Sequence, residues 1–262
     1  MKKIGIYPNT SKEKAVAVAN ELVGFVGSLG IGCFIASEKG QLCEADVLVV
    51  LGGDGTMLRA ARETAMYNIP LLGINIGKLG YLTAMESEDT EKAIKAVVEG
   101  DYAIERRMML QAIVGSQEPL IALNDVYITR GVQNRMFGFE IWINGEYIYT
   151  LSADGLIICT PTGSTAYNLS AGGPILKPDA EMIAVTPICP HALHARPMVV
   201  SSKDEVVVKI NGDGGKIVSA DGEPYELLDN ERITIKRSQH SALIIKTNKQ
   251  SFFDVLRHKM IN

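Results

Sequence analysis

The stretch VLVVLGGDGTMLRAARETAM, residues 47–66, decides the fold of this chain. Its first five residues are all apolar, which is typical of a parallel strand that is covered on both faces. Gly52, Gly53 and Gly55 end the apolar run, and residues 57–66 return to a helical pattern. The pattern predicts a buried strand, a glycine-rich turn and a helix, which together are a unit of an α/β fold.

The first hundred residues continue this alternation on both sides of the stretch. Thr10 and Glu13 have the spacing of a capping box, which predicts a helix that ends at Gly30. Apolar runs predict further strands at residues 3–7, 31–36 and 70–75, and helical spacing predicts a helix over residues 90–99. We therefore expect a doubly wound α/β domain with a parallel sheet over residues 1–100.

From about residue 102 the pattern becomes that of a mainly-β domain, which we place at residues 101–244. Asn144-Gly145 between two apolar runs predicts a hairpin with a type I′ turn. Residues 206–210 and 216–220, joined by the glycine-rich turn 211–215, predict a second hairpin, and residues 232–236 alternate as a half-buried strand does. The last segment, residues 245–262, is expected to pack back onto the first domain.

Composition limits the classes of protein to which the chain can belong. Of its 262 residues 47% are hydrophobic and 21% are charged, which excludes a disordered chain. The formal net charge of −4 provides no broad basic surface, so we expect no nucleic-acid partner. The apolar runs are too short for a membrane span or a signal peptide, so we expect no membrane partner. Four scattered cysteines without a CxxC pair predict reduced thiols and a cytoplasmic location.

The first candidate site is the turn GGDGT, residues 52–56, at the carboxyl end of the predicted strand. Glycines let a backbone approach a phosphate, and a helix that follows supplies N–H donors. Asp54 then stands beside the phosphate as a reactive carboxylate, or it only caps the helix; the spacing leaves both open. The turn is neither a Walker A loop nor a GxGxxG motif, so the common nucleotide-binding motifs do not apply.

The second candidate site is the run from Asp154 to Gly173, in which a strand leads into TPTGSTAYNLSAGG. Its hydroxyl groups and free amides suit a polar ligand, and Tyr167 offers a flat face to a base or a nicotinamide ring. The plainer alternative is a structural turn. Asn124-Asp125 and residues 219–223 pass, taken singly, as ordinary turns. A zinc site at Cys189, His191 and His194 is disfavoured, because no second Cys/His pair completes four ligands.

Taken together, these blocks resemble the NAD kinase family. Residues 52–56 resemble its GGDGT motif, Asn124-Asp125 is similar to its N-(E/D) motif, and residues 160–173 resemble its long glycine-rich signature. Residues 73–82 and 190–197 are similar to further family blocks. Diacylglycerol and sphingosine kinases share GGDGT but lack the long second block, so the combination is specific.

The resemblance implies phosphoryl transfer from ATP, or another phosphate donor, to the 2′-hydroxyl of the adenosine ribose of NAD, giving NADP. It implies a divalent cation such as Mg²⁺, an α/β N-terminal domain and a β-sandwich-like, dinucleotide-binding C-terminal domain. Family members are homo-oligomers, commonly tetramers, whose NAD site is shared between subunits. The alternatives are a lipid kinase of the diacylglycerol type and a non-catalytic dinucleotide-binding regulator.

The resemblance also implies roles for single residues. Asp54 is expected to be the general base, and Gly53, Gly55 and Thr56 are expected at the phosphates. The other expected binding residues are Asn124, Asp125, Asp154, Thr165, Ala166, Tyr167, Asn168, Ser170, Asp221 and Glu223. Gly155, Gly163, Gly172 and Gly173 are expected around the dinucleotide.

The chain departs from the family pattern at two positions of this region. Ser152 stands where many bacterial members have arginine, and Glu223 stands where glutamine is frequent. Both departures concern the details of the pocket and leave Asp54 unaffected.

Overall fold

The structure is a computed structural model that describes residues 3–36, 39–77, 80–83, 85–86, 89–115, 117–130, 137–192, 194–211, 216–227, 232–247 and 251–261. The chain divides into two compact units. The first unit consists of Met1–Arg107 and His240–Asn262, and the second consists of Met108–Gln239.

Helices and strands alternate along the first part of the chain. In order they are β1 (Lys3–Pro8), α1 (Glu13–Ser28), β2 (Gly32–Ile35), α2 (Lys39–Leu42), β3 (Val47–Gly52), α3 (Asp54–Thr64), β4 (Pro70–Asn75), β5 (Met85–Glu86), α4 (Thr90–Glu99) and β6 (Ala103–Val114).

Strands dominate the rest of the chain. They are β7 (Leu120–Ala122), β8 (Asp125–Arg130), β9 (Phe137–Ile143), β10 (Glu146–Ala153), β11 (Gly155–Cys159), β12 (Met182–Ile188), β13 (Met198–Ser201), β14 (Val206–Asn211), β15 (Lys216–Ala220), β16 (Glu223–Leu227) and β17 (Arg232–Lys246), with the helices α5 (Tyr167–Ser170) and α6 (Phe252–Ile261). Short 3₁₀ helices lie at Ala65–Tyr67 and Gly163–Thr165.

A parallel sheet forms the centre of the first unit. Its strand order is β2-β1-β3-β4, and Leu243 and Ile244 of β17 extend it in parallel beyond β4. All six residues of β3 are buried, as the apolar run of the sequence predicts for a strand covered on both faces. Buried residues of α1 and α4 pack against this sheet in one hydrophobic core. The predicted α/β fold of this part of the chain is confirmed.

Two helix starts differ from those that the sequence predicts. The prediction of a capping box at Thr10 is wrong, because α1 begins at Glu13 after Lys12 and has no side-chain cap. Asn9 instead orders this turn: its carbonyl accepts the N–H of Lys12, and its side-chain oxygen accepts that of Ser11. Helix α3 begins at Asp54 and not at Met57, because the carbonyl of Gly53 already accepts the N–H groups of residues 56 and 57.

The second unit is a sandwich of two antiparallel sheets. One has the strand order β10-β9-β14-β17, and the other has the order β13-β12-β11-β8-β15-β16. Side chains from both sheets enter one buried core, with Phe139 and Ile141 from the first sheet, and Ile128 and Ile158 from the second. The mainly-β architecture predicted for this part of the chain is confirmed, and the shared core makes it a sandwich.

The two hairpin predictions have opposite outcomes. Asn144 and Gly145 both have positive φ, of 51° and 82°, as a type I′ turn requires, so the first hairpin is confirmed. The second is wrong, because β14 pairs with β9 and β17 while β15 pairs with β8 and β16. Residues 212–215 of the predicted turn lie outside the described residues. The hairpin partner of β15 is β16, through a two-residue turn at Asp221-Gly222.

The C-terminal helix α6 belongs to the first unit. Val255 is buried, and the Nζ atom of Lys259 lies 5.7 Å from the ring centre of Tyr81. In the part of the chain that the structure describes, no helix is long and apolar enough to span a membrane.

The type I′ turn can be tested with a pair of glycine variants. Gly145→Ala forces an L-residue to a φ of 82° and should lower the free energy of unfolding by about 1 kcal/mol. Gly24→Ala, within α1 and with open space at the Cβ position, should raise it by about 0.5–1 kcal/mol. Urea denaturation measures both variants, and a change of the same sign in the two would contradict the assignment of the turn.

Candidate active site

The first part of the site lies at the carboxyl ends of β1 and β3. These strands are neighbours, with β2 and β4 on their outer sides, so the strand order reverses between them. Open α/β sheets bind ligands at such a reversal. Asn9 joins the two strand ends: its N–H donates to Leu51 O (2.8 Å), and its side-chain Nδ2 donates to Thr56 Oγ1 (3.1 Å). Asn9 is not among the site residues predicted from the sequence, although its position after a predicted strand was a signal.

The first turn of α3 presents free backbone donors at this edge. Within the described residues, the N–H groups of Asp54 and Gly55 have no acceptor, as is usual at a helix N-terminus. A Cβ atom at Gly53 or Gly55 would meet nothing within 4 Å, so the backbone is open there. Lys12 adds a positive charge nearby, because its Nζ lies 3.3 Å from Ile76 O, just beyond β4. Such a turn can hold an anion. Thr56, in contrast, is buried and bonded to Asn9.

The Asp54 carboxylate holds a loop and does not cap its own helix. It accepts hydrogen bonds from the N–H groups of Tyr81 (2.8 Å), Leu82 (3.0 Å) and Thr83 (3.2 Å), and from the Thr83 hydroxyl (3.3 Å). The N-cap of α3 is Gly53, without a side-chain cap, so the interpretation of Asp54 as a helix cap is wrong. A Cβ at Gly80 would lie 2.0 Å from Asp54 Oδ1, which explains why glycine precedes this loop.

In the second unit, Asn124 and Asp125 precede and begin β8. Within the described residues, neither side chain has a hydrogen-bond partner, although the side chain of Asp125 is only 4% exposed. Burial, and secondarily the negative charge of Asp221, raise the pKa of Asp125 from 3.8 to about 7. The Asp125 carboxyl group accepts no hydrogen bond from the described residues, so it is available to a polar ligand.

The glycine-rich segment, residues 160–176, is held mainly by its own side chains. Asn168 is fully buried; its Nδ2 donates to Ser164 O (3.2 Å) and Pro174 O (3.0 Å), and its Oδ1 accepts the Thr186 hydroxyl (2.7 Å). Ser164 Oγ lies 2.6 Å from Pro161 O and accepts the N–H of residue 176. These bonds give Asn168 a positioning role, and its direct contact with a cofactor stays a prediction.

Several glycines of this region serve packing. A Cβ at Gly163 would lie 2.1 Å from Asn124 O, one at Gly173 would lie 2.1 Å from Asn168 Oδ1, and one at Gly155 would lie 2.6 Å from Ile128 O. All three are predicted around the dinucleotide, and the structure gives them close contacts with the protein itself. A Cβ at Gly172, the fourth glycine of this prediction, would meet nothing within 4 Å, as at Gly53 and Gly55.

Tyr167 is the exposed aromatic residue of this segment. Its side chain is 42% exposed and packs edge-to-face on Tyr127, with ring centres 5.5 Å apart. Burial, and then nearby charges that include those of Asp125 and Asp154, raise the pKa of the Tyr167 hydroxyl. Cys159, paired with Asp125 across strands β11 and β8, is buried, and burial with the Asp125 charge raises its pKa to about 12.

The remaining predicted residues lie near these groups in the second unit. Thr165 Oγ1 lies 3.4 Å from Thr162 O, and Asp154 donates its N–H to Ile188 O (2.9 Å). Ala166 separates the 3₁₀ helix from α5, Ser170 at the end of α5 is exposed, and Glu223 at the start of β16 is also exposed. The roles of all these residues stay predictions.

Within the described ranges, no three His, Cys, Asp or Glu side chains cluster as a metal site would require. The disfavoured zinc site at residues 189–194 stays an interpretation of the sequence. The cysteines are reduced thiols that form no disulfide among the described residues: Cys33, Cys43, Cys159 and Cys189.

Comparison with known proteins decides the family. Residues 36–102 match the ATP-NAD kinase N-terminal domain, and residues 123–247 match the ATP-NAD kinase C-terminal domain. The chain belongs to the NAD kinase family. It is 41% identical to the NAD kinase of Lachnospira eligens, over 99% of this chain and 100% of the relative, and 39% identical to that of Caldanaerobacter subterraneus subsp. tengcongensis, over 99% of each.

Solved structures agree with this assignment. An NAD kinase from Archaeoglobus fulgidus, solved in complex with ATP, has a TM-score of 0.84 at 27% identity, covering 100% of this chain and 99% of the other. Yeast NADH kinase, solved with NADH, has a TM-score of 0.84 at 24% identity over 98% of this chain and 86% of the other, and supports the fold.

The raised pKa of Asp125 predicts a dependence of stability on pH. A carboxyl group that binds its proton more tightly in the folded than in the unfolded chain stabilises the fold below about pH 4, and this stabilisation is lost as the pH rises to about 7. Asp125→Asn removes this dependence. The melting temperature of the variant minus that of the wild type should therefore increase between pH 5 and pH 8, as calorimetry would show. A difference independent of pH would contradict the shift.

The steric role of Gly80 gives a second prediction. Gly80→Ala should displace the Asp54 carboxylate, and a displacement of about 1 Å can reduce NAD kinase activity by about 100-fold. Gly24→Ala, at an open helical position, is the control and should keep full activity. Equal steady-state rates for the two variants would show that the position of Asp54 does not depend on Gly80.

Proposed function

We propose that this NAD kinase transfers the terminal phosphoryl group of ATP to the 2′-hydroxyl of the adenosine ribose of NAD, giving NADP. Phosphorylation of NAD is the activity of the family to which the chain belongs. One observation carries the proposal for this chain. The first turn of α3 combines free backbone N–H groups with the carboxylate of Asp54, and it lies where the strand order of the parallel sheet reverses.

The first unit would bind phosphate groups. The free N–H groups of Asp54 and Gly55, the dipole of α3 and the positive charge of Lys12 all favour an anion at this edge. The backbone at Gly53 and Gly55 carries no side chain that would keep a phosphate away. Phosphoryl transfer requires mainly alignment and neutralisation of charge, which such donors supply.

Asp54 would be the general base that accepts the proton of the attacking ribose hydroxyl. Its oxygens are unequal: Oδ1 accepts three hydrogen bonds within the loop of residues 81–83, and Oδ2 accepts one, from Tyr81. Oδ2 therefore keeps more lone-pair capacity for the incoming proton. The bonds to Oδ1 fix the orientation of the carboxylate. A positioned general base contributes typically about 10²–10⁴-fold to the rate.

The second unit would bind the dinucleotide. Asn124 and Asp125 would bind the adenosine part through an amide and a carboxyl group that have no partner within the described residues. Tyr167 would stack on a ring of the dinucleotide, because its side chain is partly exposed and is positioned by edge-to-face packing on Tyr127. Asp154, Thr165, Ala166 and Ser170 would complete the pocket.

A divalent cation such as Mg²⁺ would accompany the nucleotide. Mg²⁺ commonly binds substrate phosphates with one or two carboxylates, so the absence of a three-ligand cluster within the described residues is compatible with this role. The bound cation would neutralise charge on the phosphates. We also propose a homo-oligomer, most simply a tetramer that shares NAD sites, in the cytoplasm.

Asp54→Asn tests the general base. The variant should keep its KM for NAD and lose about 10²–10⁴-fold in kcat, measured as NADP formed from NAD and Mg-ATP in a coupled assay. Because the introduced amide also weakens the bonds to residues 81–83, Thr83→Val is the matched control: it removes one donor to Asp54 and should lose less than about 10-fold.

A kcat of Asp54→Asn near that of the wild type would exclude Asp54 as the general base. An equal loss of kcat in Thr83→Val would show that the loss comes from disorder of residues 81–83. Formation of ADP from Mg-ATP with diacylglycerol in place of NAD tests the lipid-kinase alternative, and no ADP should form above the rate without an acceptor.

A further inference from the structure

The backbone of residues 123–125, called here the Asn124 segment, has all six of its polar groups bonded to two residues. The carboxylate of Asp221 accepts the N–H groups of Leu123 (2.8 Å), Asn124 (2.7 Å) and Asp125 (3.3 Å). Thr160 serves two of the carbonyls: its hydroxyl donates to Leu123 O (2.6 Å), and its N–H donates to Asn124 O (2.8 Å). The third carbonyl, that of Asp125, accepts the N–H of Asp221 (3.0 Å).

Strand geometry explains why these two residues are needed. β8 lies between β11 and β15 and is antiparallel to both, so the Asn124 segment extends past the ends of its neighbours. Thr160 is the first residue after β11 and continues the ladder on one side. On the other side β15 ends at Ala220, where the chain turns back at Asp221-Gly222 and no longer offers carbonyls. The Asp221 carboxylate takes their place.

The conformation of the turn at Asp221-Gly222 orients the Asp221 carboxylate. Asp221 has φ of 50° and Gly222 has φ of 85°, the type I′ combination that joins β15 tightly to β16. Aspartate tolerates the left-handed region better than most residues, because its short side chain forms local hydrogen bonds. Gly163 also packs against the Asn124 segment, so closely that a Cβ at this position would overlap Asn124 O.

The side chains of the segment contrast with its backbone. Each backbone N–H and C=O of residues 123–125 is bonded, whereas the Asn124 amide and the Asp125 carboxyl have no hydrogen-bond partner within the described residues. A rigid backbone that carries two unpartnered polar side chains is the arrangement of a pre-organised binding site, because little freedom is lost when a ligand binds.

We propose that Asp221 and Thr160 are positioning residues that fix the Asn124 segment for binding of NAD. This inference rests on the proposed function, and it assigns to Asp221 a role beyond contact with the cofactor. Neither residue has to touch the reacting atoms. Their effect passes through the backbone to Asn124 and Asp125, so it should fall on NAD and not on ATP.

The test uses two near-isosteric variants of the full chain. Asp221→Asn replaces one acceptor oxygen by a donor, and Thr160→Val removes the hydroxyl while it keeps the shape of the side chain. Each should raise the KM for NAD, and the Kd for NAD measured by calorimetry, by about 10- to 100-fold. The KM for ATP should change less than about 2-fold. Thr160→Ser, which keeps the hydroxyl, should have the KM and Kd for NAD of the wild type.

Asp204→Asn and Thr64→Val are the matched controls. Asp204 also accepts a backbone N–H in a turn of the second unit, from Ser201 (2.8 Å), and the Thr64 hydroxyl also donates to a backbone carbonyl, that of Ala60 (2.7 Å). These variants should lower the melting temperature as the test variants do and leave the KM for NAD unchanged.

The outcomes separate the positioning role from the function itself. A wild-type protein that neither binds NAD nor forms NADP overturns the proposed function. An active wild type whose Asp221→Asn and Thr160→Val variants keep the KM and Kd for NAD overturns the positioning role, as does an equal rise in the controls. If Asp221→Asn does not fold, the comparison of Thr160→Val with Thr160→Ser decides by the same criteria.

Discussion

A backbone N–H group that has no acceptor in a sheet or a helix must find another one, and in this chain each of two carboxylates accepts several such groups. Asp54 accepts the amides of residues 81–83 in the first unit, and Asp221 accepts those of residues 123–125 in the second. An ionised carboxylate is a strong acceptor that can serve several donors at once. Each unit thus uses one aspartate to fix a backbone segment, residues 81–83 before β5 in the first unit and residues 123–125 at the start of β8 in the second.

In the first unit this constraint concerns the residue that we propose as the general base. Asp54 is at once the acceptor that orders residues 81–83 and the group that the family resemblance assigns to proton transfer. The two tasks are compatible because they use the oxygens unequally, with three bonds on Oδ1 and one on Oδ2. A carboxylate held in this way would not have to reorient during the proposed proton transfer.

The sequence predicts what is local and periodic, and it misses what depends on distant pairing. The buried strand Val47–Gly52, the strand Pro70–Asn75 and the turn at Asn144-Gly145 follow from apolar runs and turn chemistry, and the structure has them. The hairpin predicted over residues 206–220 fails because alternation shows that a strand has two different faces, but not which sheet it joins. The domain limits at residues 100 and 244 stay a prediction from periodicity, and the compact units divide inside the long strands β6 and β17. The contacts of Asp54 span 27 to 29 residues, which no local pattern reveals.

The burial of the Cys159 thiol beside Asp125 has a consequence for its reactivity. With its pKa raised to about 12, only about one molecule in 10⁴ carries the thiolate at pH 8, and the thiolate is the form that reacts with oxidants and alkylating reagents. Its pairing with Asp125 therefore places beside that carboxyl group a sulfur atom that reacts slowly. Oxidants would reach the exposed Cys43 and Cys189 first and leave the Cys159 thiol unmodified.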